Sequence, residues 1–151
     1  MTTISNDTLH QLNAINKWLG DVFGKDTRLS TLLNEAGLSQ AEVETIKNKH
    51  LASYLQSIVD LIVNNTTNHD GERRNSVMVR HYGLLDGKPE TLQSIGDSLE
   101  LSRERIRQLV QKRIRLYSST RRKKQFKADV VAIARDLLTT SNVENERTSE
   151  D

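Results

Sequence analysis

The chain has 151 residues, 28% of them charged, with no cysteine and a single proline. That composition excludes a disulfide framework and a thiolate metal site, and no apolar run approaches the ~18 residues that span a bilayer. The N-terminal stretch MTTISNDTLHQ lacks the pattern of a signal peptide. The expectation is an all-α, soluble, cytoplasmic protein with no membrane contact.

Leu9, Leu12, Ile15, Trp18, Leu19 and Val22 recur at helical spacing and predict a helix over 7–23, stopped by Gly24. A short helix over 29–36 ends at Gly37. Ser39 caps a long helix over 40–63. One side of it carries Val43, Ile46, Leu51, Tyr54, Leu55, Ile58, Val59 and Ile62, broad enough for packing within the chain or for a homodimer seam. Residues 1–63 are therefore expected to form a small N-terminal helical lobe serving docking or dimerisation. The segment 29–47 has faint helix-turn-helix spacing, but Leu33 fills a position that should be small, and Glu42 and Glu44 would repel DNA.

Residues 64–75, NNTTNHDGERRN, hold no apolar side chain and read as a linker. A second domain over 76–139 then begins with a short helix to Tyr82 and a loop LLDGKPE. It ends with a helix over 125–139 carrying Phe126, Val130, Ile133, Ala134 and Leu137. Residues 140–151 are polar and acidic, and disorder is the expectation.

Between these, TLQSIGDSLELSRERIRQLVQKRIR (91–115) has the spacing of a helix-turn-helix. Thr91 caps a first helix, Glu100-Leu101 turns the chain, and Ser102 caps a second helix to about Tyr117. Counting Leu92 as the first motif position, Ile95, Leu99, Leu101, Ile106 and Leu109 fall where two crossed helices lock together. Gly96 stands where the helices nearly touch, despite glycine's cost of ~1 kcal/mol inside a helix. Arg103, Glu104, Arg105, Arg107 and Gln108 then face outward, as on a helix built to enter a major groove.

Charge points the same way. Residues 1–70 carry a net −3 and 71–100 a net −1, whereas 101–127 carry eleven Lys/Arg against Glu104 alone, a net +10; 128–151 return −4. A solvated helix face normally mixes signs to gain i,i+4 pairs, so this block is the footprint of a polyanion. Double-stranded DNA is the expected partner. The four histidines, His10, His50, His69 and His81, are scattered, and no catalytic or phosphate-cradling motif occurs, so the chain is not expected to be an enzyme or to need a cofactor or metal.

The segment 73–117 resembles region 4 of the sigma-70 family, the part of bacterial sigma factors that reads the promoter −35 element. The family writes roughly R-F-G-L, an eight-residue step to a threonine, T-L-E-E-I/V-G, and a V-S/T-R-E-R-I-R-Q block. This chain has His81-Tyr82-Gly83-Leu84, eight residues from Gly83 to Thr91, Thr91-Leu92-Gln93-Ser94-Ile95-Gly96, and Leu101-Ser102-Arg103-Glu104-Arg105-Ile106-Arg107-Gln108. It departs at Arg74, where an acidic residue is usual, at Val110-Gln111 in place of E-A, and at Arg113 in a position usually small. The N-terminal aromatics, Trp18, Phe23 and Tyr54, sit at apolar helical positions, unlike the base-capturing aromatics of a complete sigma factor. The resemblance thus implies region 4 as a detached domain, acting at the nucleoid with RNA polymerase core.

The resemblance assigns base readout to Arg103, Glu104 and Gln108, with Arg105 a fourth. Arginine offers a fork for guanine O6/N7, and a glutamate can accept from cytosine N4–H. Arg80, Thr91, Ser102, Arg107, Lys112 and Arg115 are expected on phosphates, which position without reading sequence; Arg107 and Lys112 alternatively face protein. Arg121, Arg122, Lys123 and Lys124 either extend the phosphate track or form a solvated connector. Two other functions remain open at this point: a stand-alone dimeric repressor or activator, and a protein-interaction module mimicking region 4.

Overall fold

The computed structural model describes residues 4–64 and 69–149, with 69–70 and 141–149 as backbone, and these hold eight helices and no strand. The order is α1 (Asn6–Phe23), α2 (Leu29–Glu35), α3 (Gln40–Lys49), α4 (Leu51–Val63), α5 (His69–Tyr82), α6 (Leu92–Leu99), α7 (Arg103–Tyr117) and α8 (Thr120–Ser149). None is long and apolar enough to cross a membrane.

Local chemistry sets most of the boundaries. The Ser5 hydroxyl accepts from Thr8 N–H at 3.2 Å at the start of α1, and Gly24, at φ 131°, ends it. Ser39 and Glu42 form a reciprocal capping box on α3, with bonds of 3.1 and 3.0 Å. The free Leu29 N–H of α2 is met by the Asn16 side chain of α1 at 3.0 Å.

The expected long helix over 40–63 is two helices. The backbone bends at His50, at φ −130° and ψ 11°. This lets α3 pack on α2 and α8 while α4 packs on α1, α5 and α8. The apolar side of α4 is spent in that packing: Tyr54, Leu55, Ile58, Val59 and Ile62 are at most 1% exposed. The stripe read as a homodimer seam is therefore interior.

The linker expected over 64–75 is also corrected. Residues 65–68 lie outside the described residues, but from His69 onward the chain is helical and belongs to α5. Its polar character misled because Asn75, 2% exposed, is a core residue. Its amide N–H donates to Ile62 O at 2.6 Å and Val63 O at 3.3 Å, and its Oδ1 accepts from Arg113 Nε at 3.0 Å. A buried polar group bonded on both sides costs little compared with one left bare.

At the other end, α8 begins at Thr120 rather than 125, and its backbone continues through Ser149 across most of the stretch read as disordered. No glycine or proline interrupts 120–149, so composition that cannot build a core still propagates a helix already anchored by Phe126, Val130 and Ala134.

The two halves of the chain share one core rather than meeting across a hinge. Trp18 of α1, fully buried, lies 5.2 Å from the rings of both Tyr117 (α7) and Phe126 (α8), and its Nε1–H donates to Met78 Sδ (α5) at 3.3 Å. Tyr82 O–H donates to Asp21 at 2.6 Å, Tyr54 O–H to Val130 O at 3.2 Å, and Gln11 to Leu84 O and Leu85 O at 3.0 and 3.2 Å. Burial, then the Asp21 carboxylate, pushes the Tyr82 phenol well above its ordinary range, so it remains a donor.

Candidate nucleic-acid interface

The interface is built on the α6–turn–α7 unit. Thr91 caps α6 by accepting from Ser94 N–H at 3.0 Å, and Ser102 caps α7 by accepting from Arg105 N–H at 3.0 Å. Both residues expected on phosphates are thus helix caps, whose hydroxyl protons remain available to an outside acceptor. Glu100 turns the chain in the left-handed region at φ 57°, and Leu101 N–H returns to Gly96 O at 2.9 Å. A Cβ on Gly96 would lie 2.6 Å from Leu101 O, so the tight turn requires glycine there. Ile95, Ile106 and Leu109 are buried, and Leu99 and Leu101 pack against them half-buried.

Burying Ile106, Leu109, Val110, Arg113 and Tyr117 fixes which side of α7 faces out. At about 100° per residue, Glu104, Gln108, Gln111 and Arg115 fall within roughly 60° of one another at the centre of the exposed side. Arg107 flanks this stripe on one edge, Lys112 and Arg105 on the other, and all are exposed. Glu104, Gln108 and Gln111 are thus flanked by cations on both edges, and Arg115 closes the stripe at its C-terminal end.

Among the described residues, Arg103, Lys112 and Arg115 have no side-chain partner. Glu104 has one. Arg107 Nε donates to its carboxylate at 2.8 Å, and Arg107 Nη2 donates to the second oxygen. That hydrogen bond holds the Glu104 carboxyl below its ordinary range, so it is an ionised acceptor at neutral pH. The pair is exposed, and such exposed pairs exchange readily. Arg105 lies 3.4 Å from the Gln108 side-chain oxygen.

Five of the expected cations sit differently. Arg80 is turned inward, donating to Glu90 through Nε and Nη2 at 2.8 and 2.9 Å and to Ser98 at 3.0 Å. Nε and Nη2 thereby tie α5 to the loop and α6, so the phosphate contact expected of Arg80 would compete with Glu90 and Ser98. Arg121 and Arg122 line a cleft with Asp60 of α4 and Asp129 of α8. With Lys123 and Lys124 they occupy the first turns of α8, past the far end of α7, about 20 Å or more from Arg103. Cations there oppose the helix dipole, so helix stability does not account for them.

Two residues of α7 sit otherwise than the sequence suggested, one behind this surface and one on it. Arg113 belongs to the basic block but is 6% exposed, bonded to Asn75 and 5.4 Å over the Tyr117 ring. Tyr117 O–H donates to Ile62 O at 3.0 Å. The back of α7 is thereby fastened to α4, and the N-terminal helices buttress the exposed stripe without covering it. Gln111, treated only as a departure from a family pattern, lies on that stripe; its period from Gln108 and Glu104 was the available signal.

These features define a helix-turn-helix module. Residues 71–115 match the family described as Sigma-70, region 4, and the chain carries a sigma region 4-like domain. Over 99 residues it is 31% identical to the RNA polymerase sigma-C factor of Nostoc sp. (strain PCC 7120 / SAG 25.82 / UTEX 2576), covering 66% of this chain and 21% of that protein. The chain spans about a fifth of the length of that curated relative, as the 21% coverage states. No solved structure matches significantly.

Proposed function

We propose that this chain is a sigma-like transcription factor that binds −35-like promoter DNA through α7 and docks on RNA polymerase core, acting at the nucleoid. The observation that carries this reading is the exposed side of α7, with Glu104 and Gln108 at its centre and cations at both edges. Arg103, at the N-terminus of the helix with a free fork, reads guanine; Glu104 accepts from cytosine; Gln108 and Arg105 complete the set. On contact, phosphate takes Arg107 from Glu104 and frees the carboxylate for a base. Lys112 and Arg115 hold phosphates, and Arg121 to Lys124 extend the track. The polymerase contact is supported by the likeness to a sigma-C factor. Sigma region 4 is a DNA-binding regulatory family and not an enzyme class.

A dimeric regulator has lost its seam to the interior of the fold, and a decoy of region 4 has no use for base readers. Selection from a random duplex pool at one fixed salt concentration, with and without core polymerase, tests the proposal. Enrichment of a TTGACA-like half-site only with polymerase supports it. An inverted repeat enriched by the chain alone would replace it with the dimeric regulator, and no enrichment in either arm would leave the interaction module.

Three substitutions follow from the geometry. Glu104→Ala relaxes discrimination at a single base pair by about 1–3 kcal/mol, read by competition among single-pair variants of the selected site. Lys112→Ala weakens binding evenly across sequences and lowers the log–log salt slope by about 1. Arg80→Ala leaves that slope unchanged and costs under about 1 kcal/mol of stability, since its partner is Glu90; slopes from titrations at several salt concentrations separate the two.

A further inference from the structure

We infer that Gln111 reads one base pair beyond the set described above, extending the site by an A·T pair. This rests on the proposal that α7 reads DNA. Gln111 is exposed and has no side-chain partner among the described residues. Its neighbours in sequence fix its direction: Val110 and Arg113 are buried on the opposite side, 7% and 6% exposed. It stands one turn after Gln108 on the same stripe, about 4.5 Å farther along the axis, slightly more than one base-pair step. Lys112 and Arg107 sit on opposite edges of the stripe, Lys112 about 1.5 Å beyond Gln111 along the axis and Arg107 about 6 Å before it, so the uncharged amide lies between the two cationic edges, over the groove floor. A glutamine amide there can donate to N7 and accept from the N6 amino group of adenine at once, a bidentate pattern that other base pairs do not present in the major groove. Glutamine is a poor phosphate ligand beside so many cations, so its place on the centre line is best used on a base edge. The family pattern has alanine in this position, so the added pair belongs to this chain.

The test compares full-length wild type and Gln111→Ala in the same duplex selection, followed by affinity measurements on single-pair variants at fixed salt. The melting temperature of Gln111→Ala should match wild type, because the side chain holds nothing in the fold. The expected result is a motif unchanged except at one end position, where a preference for A·T of about tenfold or more disappears. Loss of affinity spread evenly over all sequences would make Gln111 a backbone contact and overturn the inference. An unchanged motif and unchanged affinities would overturn it too, leaving the DNA-reading proposal intact. A wild-type chain that enriches no motif in either arm would sink both.

Discussion

Trp18→Ala is expected to remove about 3–5 kcal/mol of folding stability and to abolish DNA binding, although Trp18 lies 85 residues before Arg103 in the chain. The ring is fully buried where α1, α5, α7 and α8 converge, against Met78, Tyr117 and Phe126. Its removal leaves a large cavity behind α7 and an orphaned contact on each neighbour. Domains of this size typically have only about 5–15 kcal/mol to lose. Because both halves share that core, wild type should unfold in one transition by circular dichroism in urea, and Trp18→Ala in one transition at lower midpoint. Two separated transitions, or a Trp18→Ala variant that loses the N-terminal helices yet still binds DNA, would show that 71–117 folds by itself. Fluorescence is not a fair probe here, since Trp18 is the only tryptophan.

The second large effect is at Gly96. Alanine in mid-helix should be favourable by ~1 kcal/mol from propensity alone. Gly20 in α1, with nothing within 4 Å of a built Cβ, ought to show that gain when replaced by alanine. Gly96→Ala should show the reverse, a loss of roughly 1–3 kcal/mol. Its Cβ would meet a backbone carbonyl, Leu101 O at 2.6 Å, which cannot rotate away as a side chain could. Relief requires α6 and α7 to separate. The affinity for the selected site should therefore fall by more than the stability loss explains, because the angle of α7 changes even in molecules that remain folded. Thermal melts of both alanine variants beside DNA titrations check this, and equal stabilisation by both would refute the close approach.

The α6–α7 unit was legible in the sequence because its determinants are local: Thr91 and Ser102 as caps, Gly96 as the small residue, Ile95, Ile106 and Leu109 as the lock. The family match over 71–115 falls on that part. What stayed hidden depends on partners distant in sequence. Asn75 read as linker and Arg113 as surface charge because polar residues default to solvent, and neither pattern nor composition reveals that they satisfy each other 38 positions apart. Arg80 likewise reads as a free cation until Glu90 is found against it. The bend at His50 carries no glycine or proline, and the apolar stripe continues in phase through it. For the site itself, the exposed stripe follows from helical period alone, which is why Gln111 could have been seen.

The bonds that Asn75, Arg113 and Tyr117 make at the end of α4 bear on how portable this DNA reader is. A chimaera that transplants only 71–117 into another transcription factor would strip the Ile62 and Val63 carbonyls from Asn75 and Trp18 from Tyr117, turning an interior guanidinium into a loose surface one. Borrowing the specificity of α7 for a synthetic regulator would take α1 and α4 along, or a redesigned back face in which Arg113, Asn75 and Tyr117 give way together to apolar residues.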